Sequence, residues 1–188
     1  MIRHLKPQKI IEIGSGFSSA VILDTNEIFM DSSIKCDFIE PYPERLEALL
    51  KSSDKENIRI HKKRLQQIPL EFFEELNEND ILFIDSTHVS KLNSDVNYII
   101  HHLLPALPKG VYIHFHDVFY PFEYPLNYLL EGKSWNEQYI LRAFLEYNKD
   151  FKIMLFNTYL ENMYEAEIRS RFPLLYKNTG GSIWLKKI

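Results

Sequence analysis

The stretch that most constrains the fold is QKIIEIGSGFSS at residues 8–19, where an isoleucine-rich run passes directly into a Gly-Ser-Gly turn. The apolar run predicts a strand that is buried on both faces, because nearly continuous β-branched runs bounded by glycine are typical of parallel sheets. Gly14 and Gly16 let the backbone turn tightly and approach a ligand, and the serines around them can cap a helix. This order favours a nucleotide-binding α/β fold, although such a turn also occurs without a ligand.

The rest of the chain alternates predicted strands with predicted helices, which favours parallel βαβ units over a sandwich. The further predicted strands are residues 36–40, 57–62, 80–85, 110–117, 151–157 and 180–188. The predicted helices are residues 17–30, 43–52, 70–76, 92–107 and 136–148. Residues 118–135 are predicted to form a long loop rich in aromatic residues and proline. The length of 188 residues, without an internal repeat or linker, predicts one domain spanning residues 1–188.

Composition argues against several classes of function. The net charge is −4, and the only basic cluster, residues 51–64, is diluted by Asp54 and Glu56, so no nucleic-acid partner is expected. The single cysteine, Cys36, excludes an internal disulfide framework and a Cys-rich zinc site. No apolar run reaches the roughly 18 residues of a membrane span, and we see no signal peptide before the first strand. We therefore expect a cytoplasmic protein without a membrane partner.

Polar residues stand at the carboxyl ends of four predicted strands. They are Glu12 with its glycine turn, Glu40, Asp85, and the pair His116 and Asp117. In an open parallel sheet, ligands bind outside the carboxyl ends of the strands, so these residues are expected to surround one crevice. Glu40 directly follows an apolar run and is placed to accept hydrogen bonds from ribose hydroxyls, with a solvent-exposed loop acid as the alternative.

The motifs together resemble those of the class I S-adenosylmethionine-dependent methyltransferases. The resemblance is carried by EIGSGFSS, FIEPYPERL, FIDSTHVSKLNSDV and GVYIHFHDVFYPFEYP, and it extends from about residue 8 to the C-terminus. The last two motifs are similar to those of bacterial small-molecule methyltransferases related to the macrolide-sugar O-methyltransferases and the cephalosporin-hydroxylase-like proteins. This resemblance implies a Rossmann-like α/β sandwich. Its seven-stranded, mostly parallel sheet would have the order 3-2-1-4-5-7-6, with strand seven antiparallel and helices on both faces.

The resemblance also implies S-adenosylmethionine as the cofactor. The implied cofactor-binding residues are Glu12, Gly14, Ser15, Gly16, Ser18, Glu40, Tyr42 and Asp85. The glycine turn would lie against the methionine part, Glu12 would help to hold its amino group, and Glu40 would hold the ribose. Tyr42 would offer an aromatic face near the adenine, or would be a surface tyrosine.

The implied reaction is methyl transfer to a hydroxyl of a small molecule such as a sugar or a phenol. The implied catalytic residues are Asp85, His88, His116 and Asp117. In metal-dependent O-methyltransferases of the catechol type, similar strand ends bind Mg²⁺, so Asp85, His116 and Asp117 would be the ligands here. Because one ligand is an imidazole, Mg, Mn, Fe and Zn all remain open. The metal would lower the pKa of the acceptor hydroxyl. In the metal-free alternative, His88 or His116 is the general base.

The chain departs from the pattern of the family in two places. Many relatives carry an acid near the adenine after the third strand, where this chain has Lys63, Arg64 and Leu65. Relatives also place helices ahead of the first strand, and this sequence begins only a few residues before it. The site is therefore expected to be open, or to be completed by another subunit of a homo-oligomer.

Three other functions are alternatives. A methyltransferase-like module would bind cofactor or a partner without catalysis. A nicotinamide (NAD) dehydrogenase would keep the glycine turn and Glu40, but Ser19 stands where its third glycine belongs. The HFHD motif at residues 114–117 is also compatible with a metal hydrolase. The aromatic loop at residues 118–135 is either a substrate wall or a packed loop.

Overall fold

A seven-stranded sheet forms the centre of the computed structural model, which describes residues 1–177 and 179–188. The strands are β1 (Lys9–Ile13), β2 (Lys35–Ile39), β3 (Ile58–His61), β4 (Ile81–Ile84), β5 (Tyr112–His116), β6 (Phe151–Phe156) and β7 (Ser182–Lys187). Their order is β3-β2-β1-β4-β5-β7-β6, and β7 runs antiparallel to both β5 and β6. The sheet order and the antiparallel β7 confirm the predicted fold class.

Helices surround this sheet. They are α1 (Ile2–Leu5), α2 (Phe17–Phe29), α3 (Glu44–Leu49), α4 (Asp95–Tyr98), α5 (Leu104–Ala106), α6 (Leu126–Leu130), α7 (Glu137–Leu145), α8 (Asn157–Met163) and α9 (Glu165–Arg171). A π-helical segment, Ile99–Leu103, joins α4 to α5, and short 3₁₀ turns cover Ser52–Glu56, Leu65–Gln67, Leu70–Glu75 and Pro173–Lys177. Within the described ranges, none of the helices combines the length and the apolar character needed to cross a membrane.

The alternation of side chains along the central strands creates two apolar layers, one on each face of the sheet. Ile11 of β1 and Leu82 of β4 belong to the larger layer, which also takes the apolar side of the helical segment between residues 95 and 106. Ile10 and Ile81 point to the opposite face and pack in the layer that includes α2. All five residues of β1 are buried, as predicted for a strand covered on both sides.

Three helical segments were missing from the sequence prediction. Residues 2–5 form α1, the predicted loop at 118–135 contains α6, and residues 157–171 form α8 and α9. None of the residues of α1, α6 or α9 is buried, and these helices have only four, five and seven residues, too few for a helical period to be recognised in the sequence. Instead, α9 carries i,i+4 ion pairs, Arg169 with Glu165 and Arg171 with Glu167.

A buried charge cluster joins the first three strands. Asp37 of β2 is only 1% exposed, and its carboxylate lies 2.8 Å from both Arg59 Nε and His61 Nε2 and 3.3 Å from Lys9 Nζ. Burial alone would raise the pKa of Asp37, but hydrogen bonds from Arg59 and His61 outweigh it and hold this pKa below its usual value. The cluster therefore stabilises the ionised carboxylate.

We expect Asp37→Asn to lower the free energy of unfolding by about 3–5 kcal/mol at pH 7, because it removes the buried anion that pairs with Lys9 and Arg59. The folded-state pKa lies below the unfolded value of about 3.9, so this stabilisation is present above that pH and is lost as pH falls through the folded-state pKa. Urea unfolding at pH 7 and pH 3 measures it. If the free energies of unfolding of wild type and variant differ by the same amount at pH 7 and at pH 3, the prediction is wrong.

Candidate active site

Gly14 brings the ends of three strands together. Its φ is +78°, and a Cβ added there would lie 1.9 Å from the carbonyl oxygen of Asp85 at the end of β4. The Gly14 N–H donates to the carbonyl of Ile39 in β2, and the Asp85 N–H donates to that of Ile13 in β1. Only glycine permits this close approach, so the turn after β1 is fixed against β4.

We expect Gly14→Ala to be more destabilising than Gly132→Ala by about 1–3 kcal/mol. Gly132 has nearly the same φ, +77°, but its added Cβ would meet no atom within 4 Å. Both substitutions carry the backbone cost of a positive φ, so their difference isolates the contact with Asp85. Chemical unfolding of the two variants measures this difference in stability. Equal losses of stability would show that the turn after β1 accommodates a methyl group.

The turn also contains polar atoms without partners. Glu12 is fully buried, and although it accepts a hydrogen bond from the Ser19 hydroxyl, its Oε1 has no partner among the described residues. Burial raises the pKa of Glu12 to about 7. The buried hydroxyl of Ser15 lacks a described partner as well. An unpaired buried acceptor is costly, and an ammonium donor would relieve that cost, so the turn fits the amino group of S-adenosylmethionine.

A crevice of about 490 Å³ opens beyond this turn, between the ends of β1, β2 and β4. Glu40 lines it, and its carboxylate accepts the N–H groups of Ser15 at 3.2 Å and Tyr42 at 2.9 Å. Tyr42 lies at the rim and is 69% exposed. Arg64 also lines the crevice, near the position where the family pattern has an acid. The crevice therefore contains the side chains predicted for the ribose and adenine.

A second cavity of about 740 Å³ lies on the α2 side of the sheet. Its lining combines polar residues such as Ser15, Ser18 and His116 with apolar side chains such as Ile10 and Ile81. Asp85 lines this cavity and also the crevice of Glu40, so it stands where the two meet.

Two other candidate catalytic residues, Asp85 and Asp117, lie beside the imidazole of His88. Its Nε2 lies 3.3 Å from Asp85 Oδ1 and 3.8 Å from Asp117 Oδ2, and its Nδ1 lies 2.8 Å from Glu137 Oε2. Burial alone would lower the pKa of His88, but hydrogen bonds that its ring donates to the carboxylates of Asp85 and Glu137 raise it to about 9. His88 is only 5% exposed, and both of its ring nitrogens face carboxylates. The structure thus brings together Asp85, His88 and Asp117.

His116 is placed differently. Its side chain is 43% exposed and faces the larger cavity, with Nε2 3.9 Å from Asp117 Oδ1. His114, on the same side of β5, is buried against Phe83 and Trp184, and burial holds its pKa well below the usual value. His116 is therefore accessible from the cavity, whereas His88 and His114 are buried.

Asp85, His116 and Asp117, the predicted metal ligands, lie at the ends of the neighbouring strands β4 and β5. Over residues 1–177 and 179–188, however, the structure contains no group of at least three His, Cys, Asp or Glu side chains that could hold a metal ion. The imidazole of His88 instead faces both carboxylates. The arrangement does not fit a bound metal as it stands, so metal ligation stays a prediction.

The aromatic loop divides into two parts. Tyr120 and Phe122 pack against Phe156 of β6 and belong to the core. Tyr128 instead packs against Trp135, whose ring centroid lies 4.1 Å from that of His88. Sequence reasoning identified this loop, but not the roles of Trp135 and Glu137, because nothing in the local sequence indicates that they contact residues near position 88.

Comparison with known proteins identifies the family to which this chain is similar. Residues 11–118 match the sequence model of a methyltransferase-domain family. An Archaeoglobus fulgidus protein described only as uncharacterized is 40% identical over 83 residues, which cover 43% of this chain and 36% of that protein. The chain thus spans about a third of the length of that curated relative.

Solved structures agree on the fold. An apo structure of CmcI is 24% identical, with a TM-score of 0.52 over 82% of this chain and 60% of that one. CmcI with SAH is 19% identical, with a TM-score of 0.53 over 100% and 73% of the two chains. The mitomycin 7-O-methyltransferase MmcR is 14% identical, with a TM-score of 0.59 over 97% and 50%. Because the family match covers more than half of the chain, this protein belongs to the methyltransferase-domain family, and its fold is similar to that of CmcI.

Proposed function

We propose that this protein transfers the methyl group of S-adenosylmethionine to a hydroxyl of a small molecule, such as a sugar or a phenol. The observation that carries the proposal is the position of Asp85, which lines both the crevice of Glu40 and the cavity of His116. A cofactor in the crevice and an acceptor in the cavity would meet at this carboxylate. The similar structures include an O-methyltransferase, MmcR, and a CmcI form with SAH, which supports the same assignment.

The cofactor supplies an electrophilic methyl group, and the chain supplies the groups that hold and orient it. Glu12 offers an unpaired buried oxygen to the amino group, and Glu40 offers a carboxylate to the ribose. Both acids are fixed beside the glycine turn, so the cofactor would bind with little rearrangement of the backbone.

We assign the general base to His116 and not to His88. A base must reach the acceptor hydroxyl within hydrogen-bonding distance, directly or through one water. His116 faces the larger cavity, whereas both nitrogens of His88 are enclosed by carboxylates. The carboxylate of Asp117 lies beside both imidazoles and would orient them. A metal-assisted route is the alternative, and it requires the cluster around His88 to rearrange.

Two measurements test the function. Calorimetry with S-adenosylhomocysteine and NAD identifies the cofactor, and micromolar-range affinity for the first with none for the second is expected. A screen of hydroxylated sugars and phenols for methyl transfer, with and without EDTA, then identifies the acceptor and the role of metal. NAD binding would favour a dehydrogenase, and cofactor binding without transfer to any acceptor would favour a non-catalytic module.

Glu40→Ala should raise the dissociation constant of S-adenosylhomocysteine about ten- to a hundredfold, because a charge-assisted hydrogen bond to a ribose hydroxyl contributes about 1.5–3 kcal/mol. Calorimetry measures the change. Glu44→Ala, at an exposed glutamate in the first turn of α3, is the matched control and should bind normally. Unchanged affinity in the Glu40 variant would remove this residue from the ribose site.

A further inference from the structure

We infer that Glu137 is a positioning residue, through which the N-terminal turn of α7 holds the loops after β4 and β5 so that Asp85 and Asp117 converge on His88. This inference rests on the proposed function, since it concerns the same carboxylates. It adds a residue that lies on a helix distant in sequence from both strand ends and does not line either cavity.

The loop after β4 is attached to α7 through both oxygens of one carboxylate. Glu137 is 1% exposed, and its Oε1 accepts the Ser86 hydroxyl at 2.8 Å while its Oε2 lies 2.8 Å from His88 Nδ1. The backbone contributes as well, because the His88 carbonyl accepts the N–H groups of Asn136 at 3.0 Å and Glu137 at 3.2 Å. The orientation of the His88 ring, and hence of the Nε2 that faces Asp85 and Asp117, is thus set by α7.

The next residue of the helix contacts the loop after β5. Gln138 is fully buried, and its Oε1 accepts the N–H of Phe119 at 3.0 Å, two residues after Asp117. The Gln138 N–H donates to the Tyr124 hydroxyl at 3.3 Å. Consecutive residues of one helical turn therefore bind both site loops, and the distance between those loops depends on this turn.

Backbone conformation explains why such attachment is needed. His88 has φ of 59° and Asp117 has φ of 53°, both in the left-handed region that residues other than glycine seldom adopt. Such conformations persist only where surrounding contacts determine them, and they cluster at functional sites. The contacts from α7 reach His88 directly, and they reach the loop of Asp117 at Phe119, two residues farther along the chain.

The attachment can be tested without knowing the acceptor, by amide hydrogen exchange of the full chain measured by mass spectrometry. In Glu137→Ala, peptides covering 85–90 and 117–124 should both exchange about ten- to a hundredfold faster, as expected when a charge-assisted hydrogen bond inside a locally opening unit is lost. Glu137→Gln keeps the length of the side chain and one acceptor, so it should restore most of the protection. Glu146→Ala removes an exposed glutamate at the other end of α7 and should behave as wild type.

Two results would overturn the inference. Faster exchange in residues 85–90 alone would show that Glu137 holds only the loop after β4 and does not affect the loop after β5. Faster exchange in every strand, with a lower unfolding midpoint, would show a general loss of stability. On an acceptor found by the screen, kcat should fall in Glu137→Ala while KM for S-adenosylmethionine is unchanged, a split that a merely structural role would not produce. If no acceptor is methylated, the proposed function fails, but the exchange result still decides the attachment.

Discussion

Asp117→Asn should lower kcat for methyl transfer about 10²–10³-fold, the loss typical when one preorganised electrostatic contact of an active site is removed. Asparagine is the appropriate substitution because Asp117 has φ of 53°, and asparagine tolerates the left-handed region better than alanine does. Affinity for S-adenosylhomocysteine should change by less than about threefold, because Asp117 does not line the crevice of Glu40. Initial rates and calorimetry on the same preparation measure the two effects.

The matched control is Asp31→Asn. Asp31 has φ of 51°, almost the same as Asp117, but it is exposed on the loop after α2. The control should retain full activity, so a loss confined to Asp117 cannot come from the backbone. If EDTA reproduces the loss in the wild-type protein, the carboxylate acts through a metal, and if EDTA has no effect, it acts directly on the hydroxyl or on His116. Full activity in both Asp117→Asn and Asp85→Asn would show that the active site is elsewhere.

The central strands of the sheet were predictable because they are buried and therefore appear as apolar runs in the sequence. Each buried run ends in a turn or in a polar residue, as at Ile13 and Ile84, and periodicity then separates strands from helices. Helices α6 and α9 were missed because they have only five and seven residues. A helical period needs a window of roughly 11 residues or more to be recognised, so segment length determined which helices could be predicted.

The site was predictable in its strand-end residues, because parallel strands bring their carboxyl ends to one edge whatever the loops do. Glu40 and Asp85 illustrate this, since both line the predicted crevice. The partners of His88 were not predictable, since Glu137 contacts it from a helix far along the chain. For the same reason the sequence could not rank His88 against His116. Their different exposures follow from tertiary packing, not from the residues beside them.

His116→Ala should lower kcat about 10²–10⁴-fold, the range in which a positioned general base contributes to catalysis. The reason is its access to the acceptor, since it is the histidine of the site whose ring opens to the larger cavity. His101→Ala, which removes an exposed imidazole from the π-helical segment, is the matched control and should be fully active. Rates with the acceptor identified by the screen measure both variants.

Chemical rescue separates the two roles that His116 can have. The truncated side chain leaves space at the wall of an open cavity, so added imidazole should restore a measurable part of the activity if His116 accepts a proton. The rescue should be the same with and without EDTA. Rescue that EDTA abolishes would show that the imidazole acts as a metal ligand, as in the alternative route. If His116→Ala is fully active while His88→Ala is inactive, the base is the enclosed histidine, and the cluster around it must open during the reaction.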